Sequence, residues 1–444
     1  MADGANAGMN PGGDSGSTAL LTDHYELTML QAALAGGTAR RRSVFELFGR
    51  RLPEGRRYGV VAGVGRVLDA VERFRFDDAA LAFLSDHRVV DEPTLDYLSS
   101  YRFEGDIWGY PEGEVYFPYS PLMIVESTFA DAVLLETLLL SILNHDSAIA
   151  SAASRMTCAS NDRPCIEMGT RRTHEEAAVA AARAAYVAGF SATSNLAAGQ
   201  RYGIPTTGTS AHSFTLLHDS ESDAFRAQVE SLGRDTTLLV DTYDVAEAVR
   251  LGVEIAGPEL GAVRIDSGDL SRLAFQVREQ LDALGAKDTR IVVTSDLDEF
   301  AIGALAAAPV DGYGVGTSLV TGSGHPTCGF VYKLVSREGD DGRMVDVAKK
   351  SKDKISVGGR KYALRRRDPE GLAEAEVVGV GTPAENDGDD RELLLPLVRA
   401  GEAVGREPLE KARDRHWAAR EELPMPAHQM SRGEPVIPTL HVPA

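Results

Sequence analysis

His212 stands in IPTTGTSAHSF, just past a short apolar run and inside a turn of Gly, Thr and Ser. An imidazole so placed can accept a proton or take a phosphoryl group from ATP; the same placement suits a histidine that caps a turn. In VRIDSGDL, residues 263–270, strand alternation puts Val263 and Ile265 on one face and Arg264 and Asp266 on the other. Arg264 can grip a carboxylate through two parallel hydrogen bonds. Asp266 can steady a cation-like transition state or a magnesium ion. Ser267, Gly268 and Asp269 form a tight turn into a helix starting near Leu270. Backbone N–H groups in such a turn bind phosphate; the alternative is an ordinary turn with Asp269 as helix N-cap.

Two further stretches suit anions. In EMGTRRTHEE, Arg171 and Arg172 follow an apolar run directly. A pair of guanidinium groups there fits a polyanion such as pyrophosphate. The alternative is a solvated pair at a helix start, but cations there are unfavourable unless an anion compensates them, which favours the anion-binding reading. In GYGVGTSLVTGSGHP, Gly312, Gly314 and Gly316 let the backbone approach a ligand and Thr317 adds a hydroxyl; a structural turn explains the run equally well. His174, Glu175 and Glu176 lack the second histidine of HExxH and read as a solvated helix start. Asp241 and Asp244 in VDTYD suit magnesium, or Asp244 an N-cap. Cys158 and Cys165 read as structural.

These residues sit where a repeating pattern would bring them together. From about residue 164, short apolar runs alternate with turns and helical stretches: PCIEMG, GFSATSN, IPTTGTS, TTLLVDTY, AVRIDSGD, IVVTSD and GYGVGTS. Such alternation predicts parallel βα units, and about seven of them favour a barrel over an open sheet. Chemistry in a barrel gathers at the C-terminal strand ends. Here those ends carry Arg171, Ser194, Thr209, His212, Asp241, Asp266, Asp296 and Thr317. The segments before and after read as α+β. The expected division is a disordered tail over residues 1–17, an α+β domain over 18–140, an α/β barrel over 141–335, and a C-terminal segment over 336–444 that returns to the α+β domain. The final MSRGEPVIPTLHVPA reads as an extended tail.

With 444 residues, 43% of them hydrophobic, the chain can bury large cores in about two domains. A net charge of −20 argues against nucleic acid or an anionic membrane as partner. Basic groups gathered in a pocket would still admit small anions. Three cysteines without CxxC pairing point away from a disulfide framework or structural zinc and toward a reducing cytoplasm. The longest apolar run, around residues 133–142, is short for a membrane span and holds Glu136. No signal peptide is expected.

Taken in order, TDHYELTM, GDIWGYPEGEVYFPYSPLMIVE, EMGTRR, GTSAHSF, VRIDSGDL, GVGTSLVT and VYKLV resemble the nicotinate phosphoribosyltransferases, from about residue 19 to about residue 370. The resemblance implies an irregular α/β barrel of the type II phosphoribosyltransferase kind, with an α+β domain built from both chain ends. It implies a homodimer whose active sites are completed across the interface. It implies that nicotinate and PRPP give nicotinate mononucleotide and pyrophosphate, with magnesium present and ATP hydrolysis coupled through phosphorylation of His212. Tyr25, of the TDxY motif, would stack on the pyridine from the partner subunit. Thr209 and Arg264 would contact nicotinate. Arg171 and Arg172 would serve the phosphates of PRPP. Thr317, Gly316 and the turn of Gly268 and Asp269 would hold its 5′-phosphate, and Asp266 would act at the ribose or toward magnesium. One departure is His24, where the family more often has a leucine-like residue.

Three rival readings differ at named residues. The related nicotinamide phosphoribosyltransferase places an aspartate where GFSATSN has Ser194. Serine can donate to a carboxylate that aspartate would repel, which favours nicotinate. A quinolinate phosphoribosyltransferase would need no ATP, against which the GTSAH histidine speaks. A non-catalytic barrel that only binds phosphorylated metabolites would need neither His212 nor Asp266.

Overall fold

The computed structural model describes residues 16–349 and 356–443. The tail expected over residues 1–17 lies outside them except for its last two residues, as does the middle of the basic stretch that follows Met344. The chain divides into two units, one holding residues 152–324 and the other residues 13–151 with 325–444. The boundaries fall at 151/152 and 324/325, where the sequence reading put them at 140/141 and 335/336.

In the first unit six short strands pair in parallel: β1 (Cys165–Glu167), β2 (Ala192–Thr193), β3 (Thr237–Leu239), β4 (Ala262–Ile265), β5 (Arg290–Val293) and β6 (Gly312–Val315). Their order is β2-β1-β6-β5-β4-β3. The strands are almost wholly buried because helices cover them, as parallel sheets require. Helix Val245–Ala256 shows how: Ala248, Val249, Gly252, Val253 and Ala256 fall on one face and are buried. The sheet is a curled half-barrel rather than a closed ring. The run IPTTGTS, expected as a strand, contributes only a parallel bridge from Thr206 to Thr193 beside β2. Pro205 has no N–H to donate to a ladder, which limits that pairing. Register aligns the strand ends: Val315 lies opposite Glu167, Val293 opposite Ile265, and Arg264 opposite Leu239. The residues that follow each strand therefore form one rim.

The second unit is mostly antiparallel. Its seven-stranded sheet runs Met344–Asp346, Phe330–Glu338, Arg42–Gly49, Pro121–Thr128, Asp106–Gly109, Leu395–Arg399, Glu402–Ala403. The third strand, Arg42–Gly49, is buried over seven of its eight residues. It even buries Glu46, whose carboxylate accepts from the Lys361 ammonium at 2.9 Å. A four-stranded sheet adds Lys361–Arg367 and Ala373–Val380. Where the sequence reads as an extended tail, strand Thr439–Pro443 pairs in parallel with Ala373–Val380. Helix His24–Ala35 starts at Asp23 and carries Tyr25 in its first turn. The helical stretch Phe129–Ala159 is long and apolar enough to cross a membrane, but 67% of its apolar window is buried in the protein, as befits a core helix.

Candidate active site

Eight of the residues singled out in the sequence share a cleft of about 240 Å³ on the barrel rim: Arg171, Arg172, Arg264, Asp266, Asp296, Gly314, Gly316 and Thr317. Arg171 and Arg172 lie in a single 3-10 turn, Thr170–Arg172, directly after β1. Both are exposed, and neither forms an ion pair among the described residues. Uncompensated cations at one end of a cleft are a site for an anion.

Arg264 is the hub. Its Nε donates to the Thr294 hydroxyl at 3.0 Å, one terminal nitrogen to Thr209 Oγ1 at 2.9 Å and to the Ser210 carbonyl at 3.2 Å, and the other to Asp266 Oδ1 at 3.2 Å. Guanidinium has five N–H donors, so these four bonds leave one free. The two-pronged grip on a carboxylate that the sequence suggests is thus mostly committed to the protein. A substrate would meet the remaining N–H and the Thr209 hydroxyl. Thr294 also donates to Asp266 and so braces both charged groups.

His212 opens helix His212–Leu217. Its Nδ1 lies 3.1 Å from the Thr242 hydroxyl, and its Nε2 faces two carboxylates, Asp241 Oδ1 and Asp266 Oδ2, each at 3.9 Å. Asp241 is nearly buried. Its Oδ2 accepts from the Asp266 N–H at 3.0 Å and the Ser267 hydroxyl at 2.5 Å, while its Oδ1 is buried with no hydrogen-bond partner. A buried orphan carboxylate oxygen is costly unless a cation or donor arrives.

The other expected residues divide. Gly268 adopts φ 84°, the left-handed form that a tight turn needs. Asp269 caps the helix beginning at Leu270 by accepting from the Arg272 N–H at 3.1 Å, so its side chain does the plainer of the two tasks foreseen. Asp244 likewise caps its helix. Ser194 follows β2, its N–H bonded to the Glu167 carbonyl at 2.8 Å. Tyr25 belongs to the second unit and is about half exposed. Partial burial and the neighbouring Glu136 carboxylate, which its hydroxyl meets, push the phenol up to about 12.

Sequence reasoning missed the brace Thr294 and gave Asp241 no part beside His212. Thr294 follows the run IVV at its strand end, so strand-end logic alone could have found it. Met168 and Ser295, which the sequence did not single out, also line the cleft. Ser295 and Asp296 have φ of 101° and 27°, strained for residues with a Cβ. Among the described residues no three His, Cys, Asp or Glu side chains cluster as metal ligands.

Comparison with known proteins gives one consistent result. Residues 20–144 match the nicotinate phosphoribosyltransferase (NAPRTase) N-terminal domain, and residues 164–374 match the nicotinate phosphoribosyltransferase (NAPRTase) family. The chain is 58% identical to nicotinate phosphoribosyltransferase pncB1 of Mycobacterium tuberculosis, over 96% of this chain and 95% of that one. It is 40% identical to nicotinate phosphoribosyltransferase of Bacillus subtilis, over 79% and 73% of the two chains. Its fold is similar to the crystal structure of human nicotinic acid phosphoribosyltransferase, with TM-score 0.81 and 25% identity, covering 95% and 97%.

Proposed function

The chain belongs to the nicotinate phosphoribosyltransferase family, and on that premise we propose that it serves NAD biosynthesis by joining nicotinate to the ribose of PRPP with release of pyrophosphate. The observation that carries the reading is the Arg264 hub, set in one cleft with the unpaired Arg171 and Arg172. Nicotinate's carboxylate would take the free N–H of Arg264 and the Thr209 hydroxyl. Arg171 and Arg172 would hold the phosphates of PRPP, and the backbone at Gly316, Thr317 and Gly268 its 5′-phosphate. As the bond to pyrophosphate breaks, positive charge grows on the ribose, and the fixed carboxylate of Asp266 stabilises it. Positioning and electrostatics then supply most of the acceleration.

ATP is the co-substrate in this reading. His212 attacks the γ-phosphorus of ATP through a ring nitrogen, with ADP leaving. The Asp241 and Asp266 carboxylates then stabilise the resulting imidazolium. Magnesium fits as a companion of the PRPP and ATP phosphates. Asp266 is the protein carboxylate that would hold it, and it would neutralise phosphate charge. A homodimer is the expected assembly: Leu196, Leu216 and Leu217 are largely exposed on helices that start near the rim, a surface suited to a second copy. Tyr25 of that copy would stack on the pyridine. Three cysteines that form no disulfide among the described residues support a cytoplasmic setting.

The test is product formation from nicotinate, PRPP and magnesium, with and without ATP, in the parent and in His212→Ala. ATP should strongly raise nicotinate mononucleotide in the parent and not in the variant. Product without an ATP effect would remove the coupling and keep the transferase; no product from folded protein would turn the assignment toward the quinolinate or binding-only alternatives. Ser194→Asp should shift the ratio of rates on nicotinate and nicotinamide toward the amide, and an unchanged ratio would show that Ser194 does not face the ring substituent.

A further inference from the structure

Glu167 ends β1 with its side chain buried and with no cation within ion-pair distance among the described residues. Burial pushes its carboxyl above the usual range, partly offset by the hydrogen bonds it accepts. Leaving a carboxylate there without a cation is costly, so its contacts are informative. One carboxylate oxygen accepts from the N–H of Gly169, which opens the turn bearing Arg171 and Arg172. The other accepts from the Thr193 hydroxyl at the end of β2. That hydroxyl in turn accepts from the Asn195 N–H at 2.9 Å, and the Asn195 side chain donates to Thr170 Oγ1 at 3.3 Å. The Glu167 carbonyl accepts from the Ser194 N–H at 2.8 Å. A closed ring of hydrogen bonds therefore joins the arginine turn to the Ser194 loop, with one carboxylate at its centre.

We propose that Glu167 is the positioning residue that sets the arginine turn and the Ser194 loop relative to one another, so that one buried side chain tunes the binding of both substrates. This rests on the reading that Arg171 serves PRPP and Ser194 faces nicotinate. Glutamine at 167 keeps the shape but puts a donor opposite either the Gly169 N–H or the Thr193 hydroxyl. Valine at 193 removes that hydroxyl at nearly constant volume.

The experiment measures kcat and both KM values for Glu167→Gln, Thr193→Val, Thr193→Ser, Arg171→Ala and Ser194→Ala, each checked for parent-like circular dichroism. Glu167→Gln and Thr193→Val should each raise KM for PRPP and KM for nicotinate by roughly tenfold, the size expected for lost bonds to a charged group, while Thr193→Ser restores both. Arg171→Ala should raise only the PRPP value and Ser194→Ala only the nicotinate value. Parent KM values in folded Glu167→Gln and Thr193→Val, or a loss confined to kcat, would overturn the proposal and leave the substrate assignments standing. Unchanged KM values in Arg171→Ala and Ser194→Ala would overturn the assignments and the proposal with them.

Discussion

Arg264 shows how a charged residue at a binding site is held by its neighbours before any substrate arrives. Four of its donors are fixed by Thr209, Ser210, Thr294 and Asp266, so its remaining N–H has a defined direction. Among the described residues, Thr294 is the one neutral side chain bonded to both Arg264 and Asp266. Thr294→Val keeps the volume and removes both bonds. Hydrogen bonds to charged groups are worth about 1.5–3 kcal/mol each, so the folded variant should melt several degrees lower, and kcat/KM for nicotinate should fall roughly 10–100-fold. Steady-state kinetics on the folded variant would check this, and a fall of less than twofold would show that Arg264 holds its place without the brace. That Arg264 and Asp266 share a strand face was legible from alternation alone. That Thr294 joins them was not, because they lie 30 and 28 residues apart and only sheet register brings them together.

At the scale of elements, the βα rhythm was legible because each strand is a short apolar run closed by a turn, and each intervening helix has its own apolar face. The caps were legible for the same local reason, Asp244 and Asp269 each accepting from an N–H three residues on. What was not legible is whether the sheet closes, since closure depends on distant edge strands. Gly314 of β6 has a reason that only packing shows. A Cβ on Gly314 would sit 2.5 Å from Thr294 Cγ2 and 2.7 Å from Met168 Sδ, both lining the cleft. Gly314→Ala must therefore displace the Thr294 methyl and the Met168 side chain. Overpacking of this kind costs about 1–3 kcal/mol. The variant should melt several degrees lower and bind nicotinate more weakly, as read by calorimetry and by KM. An alanine variant with parent KM would mean that these neighbours yield without disturbing the cleft.

Across the whole molecule, buried ionisable groups tie stability to pH, and Glu26 gives the clearest case. It is fully buried at the start of the helix that carries Tyr25, and accepts from the Thr137 N–H at 2.9 Å and the Thr137 and Thr22 hydroxyls. Thr137 is 111 residues away, so no local pattern could reveal this contact. Burial raises the carboxyl from 4.5 to about 7 despite those bonds. Between pH 4.5 and about 7 the folded state therefore holds a proton that the unfolded state has released. Where the folded state binds more protons, stability falls as pH rises. Glu26 thus weakens the fold progressively across that window, and its effect is constant above it. Glu26→Gln removes the titration. Its melting temperature relative to the parent should climb between pH 5 and pH 7.5 and then level off, as followed by circular dichroism at matched ionic strength. A difference that stays flat across that range would show that Glu26 ionises in the folded protein at its ordinary pH, and that the threonine donors outweigh its burial.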